Sequence, residues 1–151
     1  MKRVFRICAC LVLLALTTAA TAEGPGYHVL NTFKLGGEGG WDYLTLDSDS
    51  RHLYISRGTH VIVMNADSGT VEGDIPDTPG VHGIALARDL GKGFISNGRE
   101  GTVTIFDLNS LKMDSKVKVG DNPDAILYDP ATKRVFTFNG RSQDSTALDA
   151  T

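Results

Sequence analysis

Two acids and an imidazole recur at one place in this sequence. Asp42, His82 and Asp124 each stand at the head of a short apolar stretch, 40 and then 42 residues apart. Brought to one point, two carboxylates and an imidazole offer lone pairs to a divalent metal or to a polar ligand. The plainer use is structural: each residue caps a turn or bonds the neighbouring unit's backbone, as Asp commonly does before a strand. A second group sits in later loops: "SRGTH" with Arg57, "SNGREGT" with Asn97, Arg99 and Glu100, and "FNGRSQDS" with Asn139 and Arg141. Three guanidinium groups on one face would form an anion-binding rim suited to a carboxylate, a phosphate or single-stranded nucleic acid. Salt bridges to Glu38, Glu100 or Asp42 are the alternative use of those charges. The glycine in each loop suits a positive-φ turn and needs no functional reason.

The sequence carries no other catalytic signature. It has no glycine-rich phosphate loop, nucleophile elbow, HExxH pair or haem-attachment CxxCH. Trp41 reads as a stacking platform at a channel mouth or as packing between units. His52 and His60 read as surface or turn residues, and His28 belongs to a strand-like stretch near the N-terminus. No cofactor is predicted; a divalent metal on Asp42, His82 and Asp124 is the one inorganic ligand these residue types would suit. An enzyme would need its catalytic set completed by residues outside this sequence, so a non-catalytic binding role is favoured.

Holding such residues in register requires a repeating scaffold, and the sequence contains one. "WDYLTLDSDSRHLYIS" from Trp41, "VHGIALARDLGKGFIS" from Val81 and "PDAILYDPATKRVFTF" from Pro123 follow one plan. Each has a short apolar strand, a turn rich in Asp, Ser, Gly or Pro, a basic residue and a second strand. Tyr54, Phe94 and Phe136 fall at matching places, and "VIVMNADSGTVEGDI" from Val61 matches "VTIFDLNSLKMDSKV" from Val103. Residues alternate with the period of strands, and no 3.6-residue amphipathic run interrupts them. Four short strands per unit of about 40 residues predict an all-β fold, a β-propeller of four-stranded blades.

In the first blade, strands a to d are expected at 42–46, 52–56, 60–66 and 70–75. Blade one covers 41–80, blade two 81–122 and blade three 123–151, the last expected to be cut off within its c strand around 145–149. That amounts to about 2.7 blades. The stretch 23–40, with "YHVLNTFKLGG", reads as an orphan outer strand and linker. So few blades cannot close a ring, which takes about four to eight. An open array would also expose apolar faces and strand edges. The expectation is an N-terminal part of a longer protein, with the rest of the ring beyond Thr151. In such a ring the d–a and b–c loops open on one face, so both residue groups point to a top-face central channel.

The N-terminus is a separate element. "MKRVFRICACLVLLALTTAATA" has a basic start, a short apolar stretch and Ala20-Thr21-Ala22, the pattern of a secretory signal peptide over 1–22 with cleavage after Ala22. The apolar stretch is too short to span a bilayer. Cys8 and Cys10 precede it, where a lipid-bearing cysteine would follow it. Cleavage would remove both cysteines together with Lys2, Arg3 and Arg6, making the formal charge of −3 more negative by three. The mature chain is expected in the periplasm or secreted, without thiols or a membrane span. Its acidic balance gives no bulk attraction to nucleic acid, leaving only local basic patches for that role.

"GTVTIFDLNSLKMDSKVKVGDNPDAILYDPATKRVFTFNG" resembles the YVTN-repeat, YncE-like family of exported bacterial propellers. The matching pieces are Gly93-Phe94-Ile95-Ser96-Asn97, Thr102 to Asp107, Val117-Lys118-Val119-Gly120 and Asn122-Pro123. Arg57-Gly58 departs from the family's "TN", and "IPDTPG" from its "VGxxP" turn. The resemblance implies a seven-bladed ring and a role as a binding or interaction platform, with a DNA-binding activity associated with YncE itself. Propellers also host lactonases and metal-assisted hydrolases, so a hydrolase using the same channel is the alternative. Expected partners are a small anionic ligand, single-stranded nucleic acid or a protein.

Overall fold

The computed structural model describes residues 26–151. The expected signal peptide, its cleavage point, Cys8 and Cys10 lie outside the described residues. Eleven strands are described: β1 (Leu44–Leu46), β2 (His52–Ser56), β3 (Val61–Asn65), β4 (Val71–Ile75), β5 (Val81–Ala87), β6 (Lys92–Asn97), β7 (Thr102–Asp107), β8 (Met113–Lys118), β9 (Pro123–Asp129), β10 (Arg134–Asn139) and β11 (Asp144–Asp149). They form three antiparallel meanders, β1-β2-β3-β4, β5-β6-β7-β8 and β9-β10-β11. A single 3-10 turn, Arg88–Leu90, is the only helical turn among the described residues.

Local chemistry explains where strands stop. The c strands of all three sheets end in an Asx turn. Asn65 Oδ1 accepts from the backbone N–H groups of Asp67 and Ser68 at 3.0 Å, and Asp107 Oδ1 from those of Asn109 and Ser110 at 3.1 and 2.7 Å. Asp149 Oδ1 accepts from the Thr151 N–H at 3.0 Å. The a–b turns close through a left-handed residue at 51, 91 and 133, where Arg51, Gly91 and Lys133 have φ of 63°, 66° and 53°. Only the middle copy spends a glycine there, so the other two accept the modest cost of a side chain at positive φ.

Packing is sheet on sheet. Tyr54, Val61, Val63 and Ile75 of the first sheet close on Val81, Ile84, Ile95 and Phe106 of the second. Phe94 and Val103 of the second close in turn on Val135 of the third, with Ile126 and Leu148 beside them. Polar links repeat across both junctions. The Ser56 hydroxyl donates to the His82 carbonyl, and Ser96 Oγ donates to the Asp124 carbonyl at 2.6 Å. Arg88 meets Asp47 at 2.7 Å and Asp49 at 2.6 Å, while Lys133 meets Asp89 one sheet further on. Burial pushes the Asp47 carboxyl up, but the N–H groups of Ser50 and Asp49, the Ser50 hydroxyl and Arg88 outweigh it and hold the group below its usual range.

Two features differ from the sequence reading. The third sheet's c strand is whole: β11 pairs with β10 from Asp144 to Asp149. The outer strand expected within 23–40 is not a strand, since residues 26–43 form no ladder. The physical reason is pairing: on the first sheet, against which this segment lies, the outer edge of β3 is already taken by β4. Leu35 nonetheless lies against Ile55, Ile62 and Met64. It stands nine residues before Leu44, as Ile75 does before Ile84 and Val117 before Ile126. It therefore holds an outer strand's packing place without the outer strand's hydrogen bonds.

The series Tyr54, Phe94, Phe136 shows what stacking contributes. Tyr54 and Phe94 are buried, whereas Phe136 is half-buried on the face turned away from the second sheet, near the exposed Leu127 and Phe138. Phe94→Ala is expected to cost about 3–5 kcal/mol in urea unfolding, and Phe136→Ala clearly less; equal losses would mean that stacking is not the main stabiliser. The buried Tyr54 hydroxyl has no partner among the described residues, and desolvation pushes its pKa up to about 12. Tyr54→Phe should therefore leave stability unchanged or raise it, and a drop in Tm of several degrees would contradict the orphaned hydroxyl. Asp47, with its lowered pKa, adds stability that is present above about pH 4 and lost as pH falls through its folded pKa. Asp47→Asn should flatten that acid-side loss.

Candidate functional site

The d–a linkers and b–c loops meet at one end of the sheets. The Gly98 N–H donates to the Gly80 carbonyl at 2.8 Å, and the Gly140 N–H donates to the Asn122 carbonyl at 2.9 Å. This repeated contact places the residues at the heads of the a strands beside the loops of the same sheet. Asp42, His82 and Asp124 line one cleft of about 110 Å³, together with Tyr43, Ala125 and Ile126. The set spaced 40 and 42 residues apart in sequence is thus brought together in space.

The backbone of this site is pinned from behind. The carbonyls of His82 and Asp124 accept the Ser56 and Ser96 hydroxyls, and the Gly83 N–H donates to Ser96 Oγ at 2.9 Å. Ser56 and Ser96 are fully buried positioning residues. The sequence reading missed them, although their signal is visible as "YIS" and "FIS" 40 residues apart. Gly83 has a steric reason to be glycine: a Cβ there would lie 2.8 Å from Ile126 Cγ2.

His82 Nδ1 hydrogen-bonds Asp42 Oδ2, and the ring nitrogen must be the donor because a carboxylate only accepts. In the neutral ring this leaves Nε2 with its lone pair. A Cβ on Gly98 would approach Nε2 to 2.6 Å, so this glycine is needed for the close approach of His82. Positive φ is the reason at Gly58 alone of the three loop glycines, since neither Gly98 nor Gly140 lies in that region. The Asp124 carboxylate, exposed at the cleft, has no side-chain hydrogen bond or ion pair among the described residues. Among the described residues, no three His, Cys, Asp or Glu side chains are placed to hold one metal ion.

The arginine rim does not assemble as expected. Arg57 aligns with Asn97 and Asn139, not with Arg99 and Arg141, and is only 1% exposed. Its guanidinium donates to the carbonyls of Gly36 at 2.7 Å, Glu38 at 2.7 Å and Gly39 at 3.2 Å, and Trp41 stacks on it with 3.7 Å between Cζ and the ring centroid. Arg57 thereby ties the 36–41 segment to the first sheet, and Trp41 is occupied by that cation–π contact. Asn97 and Asn139 are buried strand-end residues. Asn97 Nδ2 donates to Thr102 and Thr104, and Asn139 Nδ2 donates to Asp144 and Thr146. Arg99 and Arg141 are the exposed pair, without ion pairs among the described residues.

The other histidines lie away from the cleft; His28 is exposed, whereas His52 and His60 are half-buried. His52 pairs with Glu72 at 3.0 Å, and His60 lies 4.0 Å from Asp74 beside a broad open hollow. His28 hydrogen-bonds the nearby Gly26 carbonyl at 3.3 Å. Glu100 pairs with Lys116 at 2.8 Å, an ion pair away from the cleft.

Stacked antiparallel sheets of this kind, with loops converging at one end, define blades of a β-propeller. Solved structures similar to this chain agree. A Kuenenia stuttgartiensis hydrazine synthase matches with a TM-score of 0.69 at 21% identity, over 82% of this chain and 36% of that one. A candidate 6-phosphogluconolactonase from Bacteroides fragilis matches with a TM-score of 0.62 at 18% identity, over 78% and 40%. The β-propeller domain of Cps50 (Swd1) from Myceliophteria thermophila matches with a TM-score of 0.65 at 12% identity, over 82% and 39%. The chain spans about two fifths or less of these structures, and identities this low show the fold alone. No protein-family model and no curated protein matches the chain.

Replacing Arg57 tests its structural role. Arg57→Ala removes charge-assisted hydrogen bonds and the Trp41 stack, and is expected to cost about 2–4 kcal/mol. Arg57→Lys should recover only part of this, because an ammonium cannot reach three carbonyls with a fork's geometry. Wild-type stability in Arg57→Ala would return the residue to the list of free surface cations.

Proposed function

We propose that the chain is part of an exported β-propeller of the YVTN-repeat, YncE-like kind whose role is non-catalytic binding at the axial end of its blades. The observation that carries the reading is the convergence of Asp42, His82 and Asp124 on one cleft whose backbone is held by Ser56 and Ser96. A pre-organised polar cleft favours binding, because little ordering cost remains to be met when a ligand arrives. The signal-like N-terminus supports export to the periplasm or outside the cell, and the short span against matched structures supports further blades beyond Thr151. The likeness in fold to the WD40 repeats of RRP9 is compatible with a partner-protein role. The exposed Arg99 and Arg141 support a weaker secondary contact with a small anionic ligand or single-stranded nucleic acid.

A lactonase-like or metal-assisted hydrolase is the second reading. It is favoured by the Asp42–His82 pair, which leaves Nε2 free to take a proton, and by the lactonase-like neighbour. Side-by-side assays separate the two. Incubation with glucono-δ-lactone, with manganese and with EDTA, is expected to show no turnover above buffer for the mature chain. Turnover lost with EDTA and with His82→Ala would overturn the binding reading in favour of the hydrolase.

A further inference from the structure

The cleft's lining also specifies the charge of its occupant, an inference that rests on the binding reading above. We infer that the cleft between Asp42, His82 and Asp124 takes a cationic nitrogen head group, an alkylammonium, and not an anion or a metal ion. No lysine or arginine lines it, whereas two carboxylates do. Asp42 has one oxygen engaged by His82, and the Asp124 carboxylate is unpartnered among the described residues. Acceptors outnumber donors at the mouth, so an incoming anion would meet like charge, and an ammonium would meet acceptors for its N–H groups.

The remaining walls suit what an ammonium carries behind it. Ala125 and Ile126 add apolar lining, and the exposed Tyr43 borders the cleft, an aromatic type that attracts a cation. A volume of about 110 Å³ holds a few waters' worth of matter, enough for an ammonium and the first methylenes attached to it. A bare metal ion is the poorer occupant. The acids supply charge, but no three ligating side chains are placed around one point among the described residues. A free amine and the lysine side chain of a partner protein share this chemistry.

Trp41, the only tryptophan in the chain and the neighbour of Asp42, supplies the readout. Its fluorescence in the mature protein would be titrated at constant ionic strength with n-butylammonium, Nα-acetyl-lysine amide, acetate and phosphate. Expected is saturation by butylammonium, weakened about fivefold or more by Asp124→Asn with an unchanged circular dichroism spectrum. Saturation by acetyl-lysine amide as well would assign the cleft to a partner's side chain; saturation by butylammonium alone would assign it to a free amine. Asp124-dependent saturation by phosphate or acetate would overturn the cationic assignment while leaving the binding site in place. No saturation by any probe, with His82→Ala and Asp124→Asn indistinguishable from wild type, would overturn both. Tyr43→Ala offers an independent check, since it should weaken butylammonium without creating anion binding.

Discussion

Each sheet in this protein has two apolar faces, and neither can be left in water without cost. Covering one sheet with the next is the constraint on which the rest of the structure depends. Burying Tyr54, Val61, Val63 and Ile75 against Val81, Ile84, Ile95 and Phe106 removes several large side chains from solvent, each worth roughly 1.5–3 kcal/mol. The hydrophobic contact is non-directional, so something else must set the register. The hydroxyls of Ser56 and Ser96, buried at the same place in two successive sheets, do so by each bonding a carbonyl of the next. Register between sheets then determines where the heads of the a strands lie, and with them the cleft.

The same constraint accounts for the two ends of the stack. The segment carrying Leu35 lies on the first sheet's outer face, and Arg57 holds it there through backbone carbonyls. A guanidinium with no carboxylate partner among the described residues is an unusual thing to bury. Its donors are nevertheless satisfied, and Trp41 covers its face, so the desolvation cost is offset by charge-assisted bonds. On the third sheet, Leu127 and Phe138 remain exposed. Phe138 stands where Ser56 and Ser96 stand in the earlier copies, so the hydroxyl link to a following sheet is not repeated there.

Much of the scaffold was legible in the sequence because strand formation and stacking are periodic. The alternation along β3 and β7, the Asx residues 65, 107 and 149 and the aromatic series 54, 94 and 136 all repeat with the unit. A repeat that preserves spacing also preserves spatial equivalence, and for that reason Asp42, His82 and Asp124 meet in the cleft. The arginine set was less legible. Arg57 looked equivalent to Arg99 and Arg141 because all three lie in matching loops, yet a two-residue offset places it at the buried strand end. In a strand, the position within the repeat decides burial, and residue type does not.

The sequence by itself determined the all-β class, the unit length, the strand and turn positions within the repeated units and the identity of the residues at the head of each a strand. These follow from local propensity and period, which act within a few residues. Only the tertiary structure decided which charges are free and which are spent. The carbonyls that engage Arg57 come from 18 to 21 residues away, and the acid that orients His82 from 40. Contacts at that separation depend on how the chain is stacked in space, and no local pattern around Arg57 or His82 encodes them.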